Sequence, residues 1–248
     1  MSNPIPVNYQ PAPALLAGRA ILITGAGDGL GRAAAVACAR AGATVVLLGR
    51  TVAKLEKTYD LVEADNAPKP AIYPLNLAGA SFKDYQELAI TLEKEIGRLD
   101  GLVHCAAHFK QYAPLADLDP REWVESLQVN LTAAQALTQA CMPLLARAPD
   151  ASVVFVSDES GRKAKPFQGA YGISKAAIEQ LMIMWALEMK NRPTVRFNSY
   201  DPRPMRTALR ARGYASEVVE KLPPPEAAVP GLLWLLGPDS AGVSGRAC

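Results

Sequence analysis

The chain has 248 residues, half of them hydrophobic and a fifth charged, a composition that can bury a full core and excludes a disordered tail or a charged fibre. Lys and Arg number 26 against 24 Asp and Glu, leaving +2 with no basic block, so the electrostatic footprint of a nucleic-acid binder is missing. Cys38, Cys105, Cys141 and Cys248 stand far apart, with no metal-like spacing to the two histidines. This pattern predicts reduced thiols in a cytoplasmic protein and no metal site. The N-terminus lacks the basic start and apolar core of a signal peptide, and no apolar run approaches the roughly 18 residues of a membrane span.

In chain order, residues 1–18 carry Pro4, Pro6, Pro11 and Pro13, which block regular helix, so an extended arm packed along the surface is expected there. From residue 19 to 248 short apolar runs alternate with amphipathic segments, the pattern of βαβ units in one domain. Strands are predicted at 19–24, 44–49, 70–75, 100–104, 151–157 and 194–200. Several are apolar throughout, such as TVVLLG and SVVFVS, as suits strands covered on both faces. Helices are predicted at 29–41, 51–65, 81–97, 120–145 with a break near Pro143, 169–190 and 226–236, and a short one at 205–213. The fold class is α/β, a doubly wound parallel sheet of six or seven strands.

The first strand runs into Gly25-Ala26-Gly27-Asp28-Gly29-Leu30-Gly31 and then an Ala-rich helix. Glycines let the backbone turn sharply and approach a pyrophosphate, while the helix N-terminus offers free amides and a positive dipole. An ordinary Gly-rich turn is the alternative, but placement at the first βα junction favours a dinucleotide site. An NAD site puts a carboxylate at the end of the second strand to hold the ribose 2′-hydroxyl. Here the chain reads Leu47-Leu48-Gly49-Arg50-Thr51, and the Arg50 fork suits a 2′-phosphate. NADP is therefore expected over NAD, unless Arg50 is simply a solvated residue opening a helix.

In the second half, Tyr171-Gly172-Ile173-Ser174-Lys175 opens a long helix, placing Tyr171 and Lys175 one turn apart on the same face. A neighbouring ammonium favours the phenolate and lowers the Tyr pKa, so that the hydroxyl can trade a proton with an alcohol or carbonyl.

Together, TGAGDGLG at 24–31, Asn130 in LQVNLTA, YGISK at 171–175 and the order of elements between them resemble the short-chain dehydrogenase/reductase family. The DGLGR, LLGRT and MRTALRA stretches look most like its YciK-like bacterial branch. The resemblance implies a Rossmann fold and NADP(H)-dependent hydride transfer between a nicotinamide and a small carbonyl or alcohol substrate. Tyr171 would donate the proton, Lys175 would lower its pKa and bind the nicotinamide ribose, and Asn130 would hold a relay water. Gly25, Gly27, Asp28, Gly29, Leu30, Gly31, Arg50, Asn76, Leu77, Ala106 and Lys175 would contact the cofactor. The segment 203–225 would form a lid on the substrate side, and the apolar helix 176–189 would join copies into a homodimer or homotetramer.

Several positions depart from the family pattern. The serine thirteen residues before the tyrosine is Asp158. A carboxylate only accepts hydrogen bonds, and its charge would raise the phenol's pKa, unless Ser157 or Ser160 takes its place. Ala107 and Arg203 stand where the family uses glycine and would crowd the nicotinamide pocket. The alternative function is thus a nucleotide-binding protein of the same fold with weak or no turnover. His104 and Cys105, at the end of the fourth strand, are expected to be packing residues.

Overall fold

The computed structural model describes residues 4–192, 194–214 and 216–248. Seven strands, β1 (Ala20–Thr24), β2 (Thr44–Gly49), β3 (Ala71–Pro74), β4 (Gly101–His104), β5 (Ala151–Val156), β6 (Val195–Tyr200) and β7 (Arg246–Ala247), form one parallel sheet in the order β3-β2-β1-β4-β5-β6-β7. The helices are α1 (Gly29–Arg40), α2 (Val52–Ala64), α3 (Phe82–Glu95), α4 (Pro120–Leu127), α5 (Ala133–Leu145), α6 (Gly169–Glu188), α7 (Ala208–Gly213) and α8 (Val229–Leu236). The six strands expected from sequence are present, and β7 adds a short edge through Asn198 and Ser199. No helix among the described residues is long and apolar enough to cross a membrane.

The apolar strands are buried on both faces because alternate residues feed two cores. Along β1, Ile21 and Ile23 pack with α1, α2 and α8, while Ala20 and Leu22 pack with α3, α5 and α6. The period of two thus fills both layers from one strand. The chain winds outward from β1 in one direction and from β4 in the other, and that reversal opens a crevice at the carboxyl ends of β1 and β4.

Two expectations change. The helix predicted at 120–145 runs without a break through a π-turn at Gln128–Thr132, and Pro143, where a break was expected, lies inside α5. Pro143 forgoes a single helical bond, to the carbonyl of Gln139, and α5 ends two residues later; the π-turn presents the buried Asn130. The N-terminal arm is a chain of turns rather than an extended segment, with positive φ at Asn8 and Ala14. Prolines block helix but favour turns, and the arm is pinned by the fully buried Leu16 and by Tyr9 Oη donating to Asp239 at 2.6 Å.

Beneath the sheet, the buried Arg196 of β6 donates to Asp150 at 2.7 Å, to Ser240 Oγ at 2.7 Å and to the carbonyl of Leu235 at 3.1 Å. Arg19 donates to the same Asp150 at 2.8 Å. This tie holds the end of α8 against the sheet. Burial alone would raise the Asp150 carboxyl, but the two guanidinium groups outweigh it and hold its pKa below the ordinary value. A carboxyl depressed in the folded state stabilises above its unfolded pKa and loses that contribution as pH falls through the folded value. Asp150→Asn should therefore cost about 3 kcal/mol at pH 7 by leaving a buried guanidinium underpaired. In denaturant melts, the gap to the wild type should close below about pH 4, and a gap independent of pH would disprove the pairing.

Candidate active site

The turn after β1 depends on two missing side chains. A Cβ on Gly25, whose φ is +68°, would lie 3.0 Å from the backbone of Ala106, and one on Gly31 would lie 2.2 Å from the carbonyl oxygen of Gly25. Helix α1 can therefore start directly against the strand end with its first amides open to the crevice. Asp28 caps α1 by accepting from Gly29 N at 2.8 Å, and Lys54 of α2 donates to the same carboxylate at 2.6 Å. Thr58 donates to the carbonyl of Ala26 at 2.9 Å. From the other side, Ala106 N donates to Thr24 Oγ1 at 3.0 Å, coupling the turn after β4 to the glycine loop.

A cavity of about 540 Å³ extends from this loop in both directions. At one end stand Arg50, exposed at the tip of β2, and Asn76, whose Oδ1 accepts from Ala78 N at 3.3 Å. Leu77 is buried beside it and Ala106 is half-buried. At the other end stand Asp158, Tyr171 and Lys175. The glycine cradle, the open helix terminus, the length of the cavity and a guanidinium in place of a strand-end carboxylate all fit a dinucleotide carrying a 2′-phosphate.

The chemical end differs from the sequence-based expectation at one bond. Tyr171 Oη donates to Asp158 Oδ2 at 2.5 Å, and Asp158 Oδ1 accepts from Ser160 N at 2.8 Å and from Ser160 Oγ. Lys175 Nζ donates to the carbonyl of Val156 at 2.7 Å and lies 5.5 Å from the centroid of the Tyr171 ring. Burial pushes the Tyr171 phenol well above its ordinary pKa, and the charge and hydrogen bond of Asp158 push it further. Lys175, itself lowered by burial, does not bring the phenol toward neutrality as the Tyr-Lys spacing alone suggests. Neither serine substitutes for the family's donor: Ser160 Oγ is spent on Asp158, and Ser157 Oγ is buried without a hydrogen-bond partner.

Asn130 is buried in the π-turn and clasps His108 at both backbone atoms, accepting from its N at 2.6 Å and donating to its O at 3.0 Å. It also donates to Ser174 Oγ at 2.9 Å, so it fastens the turn after β4 to α6 one residue before Lys175. Arg203 has a φ of +64°, a backbone that glycine adopts without strain. Its side chain is 74% exposed and faces Asp201 at 3.5 Å, so it lies at the open edge of the cavity rather than filling it. Ala107 remains half-buried on the cavity wall. His104 stacks on Phe155 at 4.9 Å and burial lowers its pKa to about 3, while burial pushes Cys105 up to about 12. His104 also meets Thr138 Oγ1 at 2.9 Å, and Cys105 is half-buried at the cavity wall.

Sequence reasoning missed three sets of cavity residues. Lys54 lies in the first turn of α2, four residues after Arg50, and was legible from its place just after β2. His108 is held between Glu122 at 2.9 Å and Glu125 at 3.3 Å. The third set is aromatic: Phe109 meets Tyr171 at 5.1 Å and Tyr112 at 5.0 Å, and Tyr112 meets Tyr214 at 5.1 Å. Tyr214 follows α7, far along the chain, and only the fold brings it over the site.

Comparison with known proteins agrees with this geometry. The short chain dehydrogenase family model matches residues 19–217, and the chain belongs to that family. Among its relatives is the uncharacterized oxidoreductase YciK of Escherichia coli K12, 38% identical over 239 residues, covering 96% of this chain and 94% of that protein. A solved short chain dehydrogenase from Pseudomonas syringae is 45% identical with a TM-score of 0.95, covering 97% of this chain and 98% of that one. Another, from Escherichia coli CFT073 and complexed with NADPH, is 39% identical with a TM-score of 0.93, covering 96% and 98%.

The Tyr171–Asp158 bond makes a titration prediction. In ultraviolet difference titrations against Tyr171→Phe, the wild-type Tyr171 signal should appear only above the ordinary tyrosine range, and Asp158→Ser should move it downward. An unchanged Tyr171 titration in Asp158→Ser would show that the carboxylate does not govern the phenol.

Proposed function

We propose that the protein is an NADP(H)-dependent oxidoreductase that moves a hydride between a nicotinamide and a carbonyl or alcohol carbon held beside Tyr171. The observation that carries this reading is one continuous cavity from Arg50 to Tyr171 across the glycine loop. Gly25, Gly27, Asp28, Gly29, Leu30 and Gly31 would hold the pyrophosphate, Asn76 and Leu77 the adenine, Ala106 and Lys175 the nicotinamide half, and Arg50 the 2′-phosphate. When bound, the nicotinamide supplies or accepts the hydride. The chain's part is to orient it and to manage the proton at Tyr171 Oη. The NADPH complex of the E. coli CFT073 relative supports the choice of cofactor.

Arg50 sets the preference in this reading. Fluorescence titration should show NADPH binding more tightly than NADH, and Arg50→Asp should narrow or reverse the preference by about tenfold or more, the worth of a charge-assisted fork to phosphate. Equal wild-type affinities would refute it.

The Asp158 contact supports slow turnover of simple ketones, because the Tyr171 proton is directed at a carboxylate rather than at a substrate oxygen. Asp158→Ser should raise NADPH-dependent ketone reduction by about 10²-fold, the usual worth of one oxyanion donor, and Asp158→Ser combined with Tyr171→Phe should abolish the gain. Ordinary wild-type turnover that falls on Asp158→Ser would make Asp158 a working acid.

Helix α6 leaves Ile173, Ile183, Met184 and Leu187 exposed, which supports assembly into a homodimer or homotetramer through this face. Light scattering across dilution should find an even-numbered assembly at micromolar concentration, and a monomer there would exclude it. The four cysteines are free thiols, in keeping with a cytoplasmic setting.

A further inference from the structure

A carboxylate in a cavity needs a partner, and the hydrogen bonds that Asp158 receives come from neutral groups, although the Lys175 and Lys165 charges act on it from nearby. Among the described residues its hydrogen bonds come from Ser160 and Tyr171, and the charged groups around it are committed elsewhere. Lys165 is paired with Glu159, Arg203 with Asp201 and Arg210 with Glu217. Lys175 is turned to the carbonyl of Val156, while Arg212 stands exposed on the rim. Beside Asp158 the wall is aromatic: Phe109, Tyr112, Tyr171 and Tyr214 form a chain of ring contacts 5.0–5.1 Å apart, all lining the same cavity. A carboxylate flanked by aromatic rings is the environment in which a cation is bound, by charge on one side and by ring quadrupoles on the other.

The reaction has a sign as well. Reducing a ketone builds negative charge on oxygen, which a neighbouring carboxylate opposes. Reducing a protonated imine removes positive charge from nitrogen, and before the step the same carboxylate favours the protonated, electrophilic form. We propose that the reacting end of the cavity is a receptor for a protonated nitrogen, so that the substrate is an iminium or its amine product rather than a ketone or alcohol. This rests on the hydride-transfer reading above and changes the reacting heteroatom. In the reduction, the iminium carbon gains a hydride with its two electrons from the reduced nicotinamide, which becomes oxidised. The C=N π pair moves onto nitrogen, giving a neutral amine that then takes one proton from water. Asp158 and the rings hold the N–H group throughout, and no further oxidant or reductant is needed.

The test separates binding from turnover. Calorimetry on the protein without added nucleotide compares benzylammonium with benzyl alcohol, matched in shape and differing in charge. The wild type should bind the cation more tightly by about tenfold, as expected for a charge-assisted hydrogen bond, and Asp158→Asn and Asp158→Ser should both lose the preference. With NADPH, kcat/KM for 2-methyl-1-pyrroline should exceed that for 2-methylcyclopentanone. Equal affinity for the two probes, or a preference that survives both substitutions, overturns the receptor. A cation preference with NADPH reduction of the ketone but not of the imine overturns the imine assignment, and a cation preference with reduction of neither overturns the hydride-transfer reading and leaves the receptor standing.

Discussion

The site rests on the close approach of three backbone segments at the end of β1. Because Gly25 and Gly31 carry no side chains, the loop folds onto the turn after β4 and α1 starts where the strand stops. The reversal of strand order at β1 and β4 then leaves a crevice that neither helical layer covers. Thr24 and Asn130 extend the constraint outward: Thr24 accepts from Ala106, and Asn130 clasps His108 and reaches Ser174 on α6. The glycine loop, the turn after β4 and the helix bearing Tyr171 are thereby fixed relative to one another. Precise placement of this kind is what hydride transfer demands of a protein scaffold.

Against this rigid frame, one substitution redirects the chemistry. A serine at position 158 would offer a hydrogen bond to the substrate; the aspartate instead accepts one from Tyr171. The phenol is thereby held in its protonated form, and the acceptor capacity that remains faces a cavity walled by aromatic rings. Loss of a donor is the expected consequence if a carbonyl occupies the site. Gain of a cation receptor is the consequence if a protonated nitrogen does. The same carboxylate produces both, and the difference lies in the charge the substrate brings.

The fold was legible because its signals are local and repeated. Apolar strands flanked by turns, the glycine loop at the first βα junction and the Tyr-Lys spacing on a helix each follow from short-range geometry. The π-turn at 128–132 was not legible, since Pro143 is the visible helix breaker while a π-turn leaves no comparable mark. Position 158 was legible as a departure that raises the phenol's pKa, but not its direct bond to Tyr171 or the larger share due to burial, nor that Lys175 is drawn to Val156. Arg203 looked like an obstruction by residue type. The structure keeps the glycine-like backbone and sends the side chain outward, a solution visible only in φ and exposure. The aromatic wall was hidden because Phe109, Tyr112 and Tyr214 come from two loops about a hundred residues apart in the sequence.

The central claim is that the proton of Tyr171 lies between its oxygen and Asp158. The most direct measurement is proton magnetic resonance of the hydroxyl in water, since a proton in a short hydrogen bond resonates well downfield of the amides and exchanges slowly when buried. The account predicts a downfield resonance in the wild type that is lost in both Tyr171→Phe and Asp158→Ser, whatever signal the His108–Glu122 pair adds. A folded wild type with no resonance that depends on both residues would contradict the account.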